Sequence, residues 1–332
     1  MKVLVTGGAG FIGSSLCERL LNEGNQVWVV DNLTTGHEYN LNKFRDNPNF
    51  VFKICGVETQ EFLDFCASSK VKFDRVYDLA CPTGVPNIDT MGDEMLIACS
   101  IGVWNVMKVA VESGADFLHT SSSEIYGEPL ISPQAETYTG NVDPVGPRAN
   151  YEEGKRFAET LIDRYVKIRG LRGRIVRLFN VYGPNMGLSD TRVIPRFAKQ
   201  ALMQLPLTVQ GDGAQMRTLC YIDDILDGFE LVISKGKIGE IYNLGSDQDI
   251  TIRELAQKII SLIESRSEII SIPRPEHDHS SRMPVLNKIN GLGWKQKINL
   301  EEGLNLTLSA FEARLSTMES INSNIQVEAK GI

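Results

Sequence analysis

The stretch Gly7-Gly8-Ala9-Gly10-Phe11-Ile12-Gly13 constrains this chain more than any other. It comes straight after the apolar run Lys2-Val3-Leu4-Val5-Thr6. It opens a segment, Phe11 to Asn22, whose Phe11, Ile12, Leu16, Leu20 and Leu21 share one side. A buried strand, a glycine turn and an amphipathic helix are expected in that order. In G-x-x-G-x-x-G, Gly7 allows the tight turn, Gly10 lets backbone amides approach a pyrophosphate, and Gly13 lets the helix pack on the strand. The helix N-terminus adds unpaired N–H groups and partial positive charge. The expected ligand is a dinucleotide. Asp31-Asn32 close the next apolar run. An acidic side chain there accepts hydrogen bonds from ribose hydroxyls and repels a 2′-phosphate, and no Arg or Lys follows directly. This points to NAD rather than NADP, with Gly7, Gly10, Phe11, Ile12, Gly13, Asp31 and Asn32 as the cradle.

Further apolar runs at 26–30, 50–54, 74–80, 116–120 and 174–178 alternate with helix-length segments, including 91–113 and 150–169. Strands spaced in this way imply right-handed crossovers. The expected class is α/β: a Rossmann-like, doubly wound parallel sheet with a smaller α/β substrate-binding lobe. The NAD-binding domain is placed at 1–180, with segments near 215–245 returning to it. The substrate lobe falls mainly at 181–312, where Gly and Pro punctuate helices near 193–203, 223–234 and 251–265. Residues 313–332 read as a polar C-terminal tail, aperiodic from Met318.

Composition narrows the function classes. With 332 residues, 42% hydrophobic and 23% charged, the chain can bury a sizeable core. Lys+Arg number 34 against Asp+Glu 42, a net charge of −8 with no basic stripe, so no nucleic-acid partner is expected. No signal peptide is read at the N-terminus, and no apolar run approaches ~18 residues, so no membrane partner is expected either. Six cysteines lack C-x-x-C spacing and read as reduced core residues of a cytoplasmic protein. His277-Asp278-His279 lacks a nearby third ligand, and no metal is expected.

Tyr151 and Lys155 stand one helical turn apart and share a face. A lysine cation, together with a nicotinamide cation, stabilises a phenolate. That phenolate can take a proton from a sugar hydroxyl while hydride leaves the same carbon. With the glycine run, this pair makes the resemblance plain. The chain resembles the extended short-chain dehydrogenase/reductases that act on nucleotide sugars, over about residues 1–312. Leu79-Ala80-Cys81-Pro82, Ser121-Ser122-Ser123-Glu124-Ile125-Tyr126-Gly127, 178–184, 218–224 and Leu292-Gly293-Trp294 carry it as well. The resemblance implies that Leu79, Ala80, Tyr151 and Lys155 also line the cofactor, and that Ser122 helps Tyr151 hold the C4 oxygen. It implies a homodimer through a four-helix bundle, from the helices near 91–113 and 150–169.

Position 123 bears on the reaction. The 4,6-dehydratases have Thr-Asp-Glu where this chain has Ser122-Ser123-Glu124, so their elimination acid is missing. The pattern is most similar to UDP-glucuronate decarboxylases (UDP-xylose synthases), as are 132–134, 140–156, 190–195 and 205–217. The implied reaction is C4 oxidation, loss of CO2 from the 4-keto uronate, and re-reduction. Glu124 either disfavours the substrate carboxylate or serves in protonating C5. The alternative is a 4-epimerase on a UDP-sugar or UDP-glucuronate using the same Tyr151, Lys155 and Ser122. A 4,6-dehydratase and a non-catalytic NAD-binding protein come behind it. Asn180, Arg217 and Arg282 are the implied donors to the nucleotide diphosphate, with Arg192 also in the substrate lobe. The chain departs from the pattern at Gly56, where the family has an acidic residue. It departs also at Cys99, where the family has Asn, at Asn185, where decarboxylases have Arg, and at Ile88, where they have Tyr.

Overall fold

The computed structural model describes residues 1–274 and 282–330. His277-Asp278-His279 lies outside them. The first six strands form where the apolar runs predict: β1 (Lys2–Thr6), β2 (Gln26–Asp31), β3 (Phe50–Ile54), β4 (Arg75–Asp78), β5 (Asp116–Ser122) and β6 (Arg172–Leu178). Helices connect them: α1 (Phe11–Asn22), α2 (Gln60–Ser68), α3 (Val85–Thr90), α4 (Gly92–Ile97), α5 (Val103–Ser113) and α6 (Ala149–Arg169). The chain then leaves through β7 (Val181–Tyr182), α7 (Val193–Leu202), β8 (Leu207–Gln210), β9 (Met216–Thr218) and β10 (Cys220–Tyr221). After α8 (Ile222–Lys235), β11 (Ile241–Leu244) rejoins the sheet beside β6. Beyond it lie β12 (Asp249–Thr251), α9 (Ile252–Ile263), β13 (Ile269–Ile272), α10 (Asn287–Asn290) and α11 (Leu300–Lys330).

The sheet is parallel throughout, in the order β3-β2-β1-β4-β5-β6-β11. Its sidedness follows from strand alternation. Val3 and Val5 point into a core shared with α1 and α8, and Leu4 into a core shared with α2, α5 and α6. Both faces are covered, which is why β1 reads as an unbroken apolar run. Outside the main sheet, β7–β10, β8–β13 and β9–β12 form two-stranded pairs. Val181–Tyr182 pairs with Cys220–Tyr221, and Arg217 lies on the β9–β12 pair.

Two expectations need correction. Residues beyond Met318 continue α11 to Lys330 rather than forming an aperiodic tail. No Pro or Gly interrupts the segment before Gly331, so local backbone hydrogen bonding continues without an amphipathic stripe. Second, α4, a π turn at Ala98–Gly102 and α5 make one helix, Gly92–Ser113, long and apolar enough by length and composition to cross a membrane. Scattered polar residues hide this in the sequence. More than half of it is buried, with Val103, Val106, Met107 and Ala110 in the core beside β4 and β5.

Candidate active site

The C-terminal ends of β1, β4, β5 and β6 meet the start of α1 and the first turns of α6, the usual crevice of an open parallel sheet. At its floor, Gly7 has φ +69°. A Cβ there would lie 2.9 Å from the Ala80 backbone, and one at Gly13 would lie 2.2 Å from the Gly7 carbonyl oxygen. Loop, helix and the segment after β4 are thus in direct backbone contact, which no larger residue permits. Thr6 ties this together. Its Oγ1 donates to Asp78 Oδ1 (2.9 Å) and accepts from the amides of Leu79 (3.2 Å) and Ala80 (3.3 Å). Asp31 is buried at the end of β2, and accepts from the Ala9 amide (2.9 Å) and the Leu33 amide (2.8 Å). Burial pushes its carboxyl up, against the pull of those two amides. Phe11 and Ile12 are half-buried at the start of α1. Asn32 is exposed, and its side-chain oxygen accepts from the Thr34 amide at 3.1 Å. Closely packed glycines and a buried carboxylate at the second strand fit a dinucleotide with an unphosphorylated ribose.

Tyr151 and Lys155 sit in the first turns of α6, facing the end of β5. The Ser122 hydroxyl lies beside the Tyr151 phenol and favours its phenolate. Lys155 is buried and donates from Nζ to the Thr120 carbonyl at 2.8 Å. Thr120 in turn donates to the Asp78 carbonyl at 3.1 Å. Burial alone would lower the Lys155 ammonium, but Cys81, Cys99, Tyr151 and Asp78 outweigh it and hold it above its usual value. Burial pushes Tyr151 up to about 12, and Lys155 and Ser122 only partly offset that. The cation one turn away therefore does not by itself make Tyr151 a base at neutral pH, because desolvation of the phenolate exceeds its attraction.

Glu124 lies in the short turn after β5, between two guanidinium groups. Arg148 Nη2 is 2.6 Å from its Oε2. Arg282 Nη1 is 2.5 Å from Oε1 and Nη2 is 2.9 Å from Oε2, a two-pronged pair. Arg282, expected at the diphosphate, is here engaged with Glu124. Arg192, at the entry to α7, pairs with Asp190 and lies over the Phe11 ring at 5.9 Å. Arg217 donates to the Met216 carbonyl at 2.9 Å. Asn180 donates to the Thr218 carbonyl at 3.1 Å. The structure thus brings Tyr151, Lys155, Ser122, Glu124 and Arg282 together, while Arg192 and Arg217 stand on separate elements of the lobe.

The NAD dependent epimerase/dehydratase family matches residues 3–245. This chain belongs to that family. UDP-glucuronic acid decarboxylase 3 of Arabidopsis thaliana is 41% identical over 95% of this chain and 90% of its own length. UDP-glucuronic acid decarboxylase 1 of Danio rerio is 39% identical over 95% and 73%. Among solved structures, the UDP-glucose 4-epimerase of Thermotoga maritima with UDP-glucose superposes with a TM-score of 0.87 at 29% identity, covering 95% of this chain and all of that one. The Thermus thermophilus UDP-glucose 4-epimerase complex with NAD superposes with a TM-score of 0.83 at 27% identity, covering 94% and 99%. The cofactor is NAD, as the family requires.

Sequence reasoning missed three contributors. Arg148 stood inside the run 140–156 without a role, since its partner Glu124 is 24 residues away. Thr6 reads as the end of a strand, and only the fold shows it holding the 78–80 turn. Glu58 is the third. The departure at Gly56 vacates a side chain, and a Cβ there would lie 2.1 Å from Glu58 Oε1. A carboxylate is therefore present at this point, supplied from two residues further on.

Proposed function

We propose that the chain is an NAD-dependent UDP-glucuronate decarboxylase that forms UDP-xylose and CO2. The observation that carries the reading is the Glu124 carboxylate, clamped by Arg148 and Arg282 beside the Tyr151–Ser122 pair, in a chain about 40% identical to proteins named for that reaction. Bound NAD supplies the hydride acceptor and then the hydride donor. Tyr151 removes the proton of the C4 hydroxyl during oxidation, with Lys155 countering the phenolate charge. The C4 ketone makes the C6 carboxylate a β-keto acid. Loss of CO2 leaves an enolate whose oxygen takes hydrogen bonds from Tyr151, now protonated, and Ser122. A proton then adds at C5, and re-reduction at C4 returns the Tyr151 proton to the sugar oxygen. No acid is needed to expel a hydroxyl, in keeping with Ser123. Glu124 is held in place by the two arginines beside Tyr151, and its role is either to disfavour the substrate carboxylate or to serve in protonating C5.

Arg192, Arg217, Asn180 and Arg282 are proposed for the nucleotide-sugar, Arg282 through its dual position beside Glu124. The proposed assembly is a homodimer. Leu96, Ile97, Ile101 and Trp104 on the 92–113 helix and Phe157 on α6 are exposed on neighbouring helices, and the Trp104 and Tyr165 rings meet edge to face at 6.0 Å. Incubation with UDP-glucuronate and NAD tests the reaction. Release of CO2 with a UDP-pentose of the corresponding lower mass is expected. A product of unchanged mass would assign the chain to 4-epimerisation instead.

A further inference from the structure

Five of the six cysteines, Cys17, Cys55, Cys66, Cys99 and Cys220, are buried, and each of those thiols is held above its usual value, Cys99 by its contact with Cys81 and by burial, the others by burial. Cys81 differs, and it faces Cys99. Cys81, half-exposed in the segment after β4, and Cys99, buried in the π turn of the 92–113 helix, have sulfurs 3.7 Å apart. Cys99 stands where the resemblance implies Asn. It packs against Gly154 of α6, where a Cβ would lie 3.4 Å from the Cys99 Cβ. The pair is therefore seated between the turn lining the cofactor cradle and the helix carrying Tyr151 and Lys155.

We propose that Cys81 and Cys99 form an oxidisable dithiol, closed to an intramolecular disulfide by a hydroperoxide and reopened by a dithiol reductant. The two sulfurs come from different elements and already touch, and closing from 3.7 Å to the ~2.05 Å of an S–S bond is a local movement. Cys81 is the attacking sulfur. The hydrogen bond from Cys99 and the charge of Lys155 favour its thiolate, and it is the more accessible of the two. Its thiolate attacks the peroxide and breaks the O–O bond, giving a sulfenic acid and, with one proton, water. The Cys99 sulfur then displaces a second water and forms the disulfide. Two electrons pass from the sulfurs to hydrogen peroxide, two waters form, and the two thiol protons are accounted for. Closure draws the segment holding Leu79 and Ala80 toward the helix. Shifts of about 1 Å at a reacting centre cost on the order of 100-fold in rate.

The test treats the purified full chain with a few equivalents of hydrogen peroxide, followed by peptide mapping without reductant. A single Cys81–Cys99 link with loss of two hydrogens is expected. Turnover of UDP-glucuronate falls at least ~10-fold and returns with dithiothreitol. In Cys99→Ser, oxidation stops at a Cys81 sulfenic acid that dimedone traps, with no link. A wild-type protein whose Cys81 stays reduced, or oxidises without linking to Cys99, would overturn the proposal, as would linked protein that keeps its untreated rate. The activity arm rests on the proposed decarboxylase reading, whereas the link is read by mass alone. Absence of turnover before treatment would count against that reading only.

Discussion

Tyr151 is legible in the sequence as a residue type at a spacing, but its proton affinity is not. The Y-x-x-x-K pattern placed phenol and ammonium on one face. It could not register that Lys155 is buried beside Cys81, Cys99 and Asp78, or that the half-buried phenol is desolvated next to Cys81. Tyr151→Phe is expected to lower turnover at least ~100-fold by removing the acid–base group, with NAD affinity retained in a binding titration. The raised phenol pKa gives a second expectation. A folded value about 12, above the ordinary 10.0, means the neutral phenol stabilises the fold below pH 10, and that contribution is lost as pH rises through 12. The ultraviolet difference titration of wild type against Tyr151→Phe should show a midpoint near 12 without NAD and a lower one with it. An unshifted midpoint on adding NAD would defeat the idea that the cofactor cation completes the base. At Gly56 the sequence showed an apparent loss, and the fold places the Glu58 carboxylate there. Glu58→Ala is expected to raise the NAD Kd about 10-fold, the worth of one hydrogen bond to a charged group, measured by calorimetry.

At the scale of elements, α6 is anchored by contacts that no periodicity predicts. Glu159 receives hydrogen bonds from Arg177 Nε (2.9 Å) and Nη2 (2.7 Å) on β6 and from Ser121 Oγ (2.6 Å) on β5. Arg177 also donates to the Tyr126 hydroxyl at 2.9 Å and lies over the Tyr126 ring. The helix itself was legible as a helix-length segment at 150–169, and it ends at Gly170, which adopts φ +71° as a left-handed cap. The ion pair was not, because its members come from elements that meet only through the crossover. Glu159→Ala leaves a buried guanidinium without its carboxylate and should cost roughly 3–5 kcal/mol, read from the urea unfolding midpoint. A change under ~1 kcal/mol would mean the pair behaves as a surface bridge.

For the whole molecule, alternation of strands and helices was enough to read a doubly wound sheet, because each βαβ unit is local in sequence. The arrangement of the lobe was not readable, since its two-stranded pairs join segments such as 207–210 and 269–272 that carry no mutual signal. On the proposed dimer, Ile101→Glu places a charge in the apolar helix face, and sedimentation should then report a monomer that still binds NAD. A dimer unaffected by that change would move the interface elsewhere. The seventh strand has its own consequence. Residues 241–244 cover the outer edge of 172–178 only after the lobe's first segments have been made. At roughly 5–20 residues per second, a ribosome leaves that edge bare for several seconds, a window in which an emerging chain is open to wrong pairing and to chaperones.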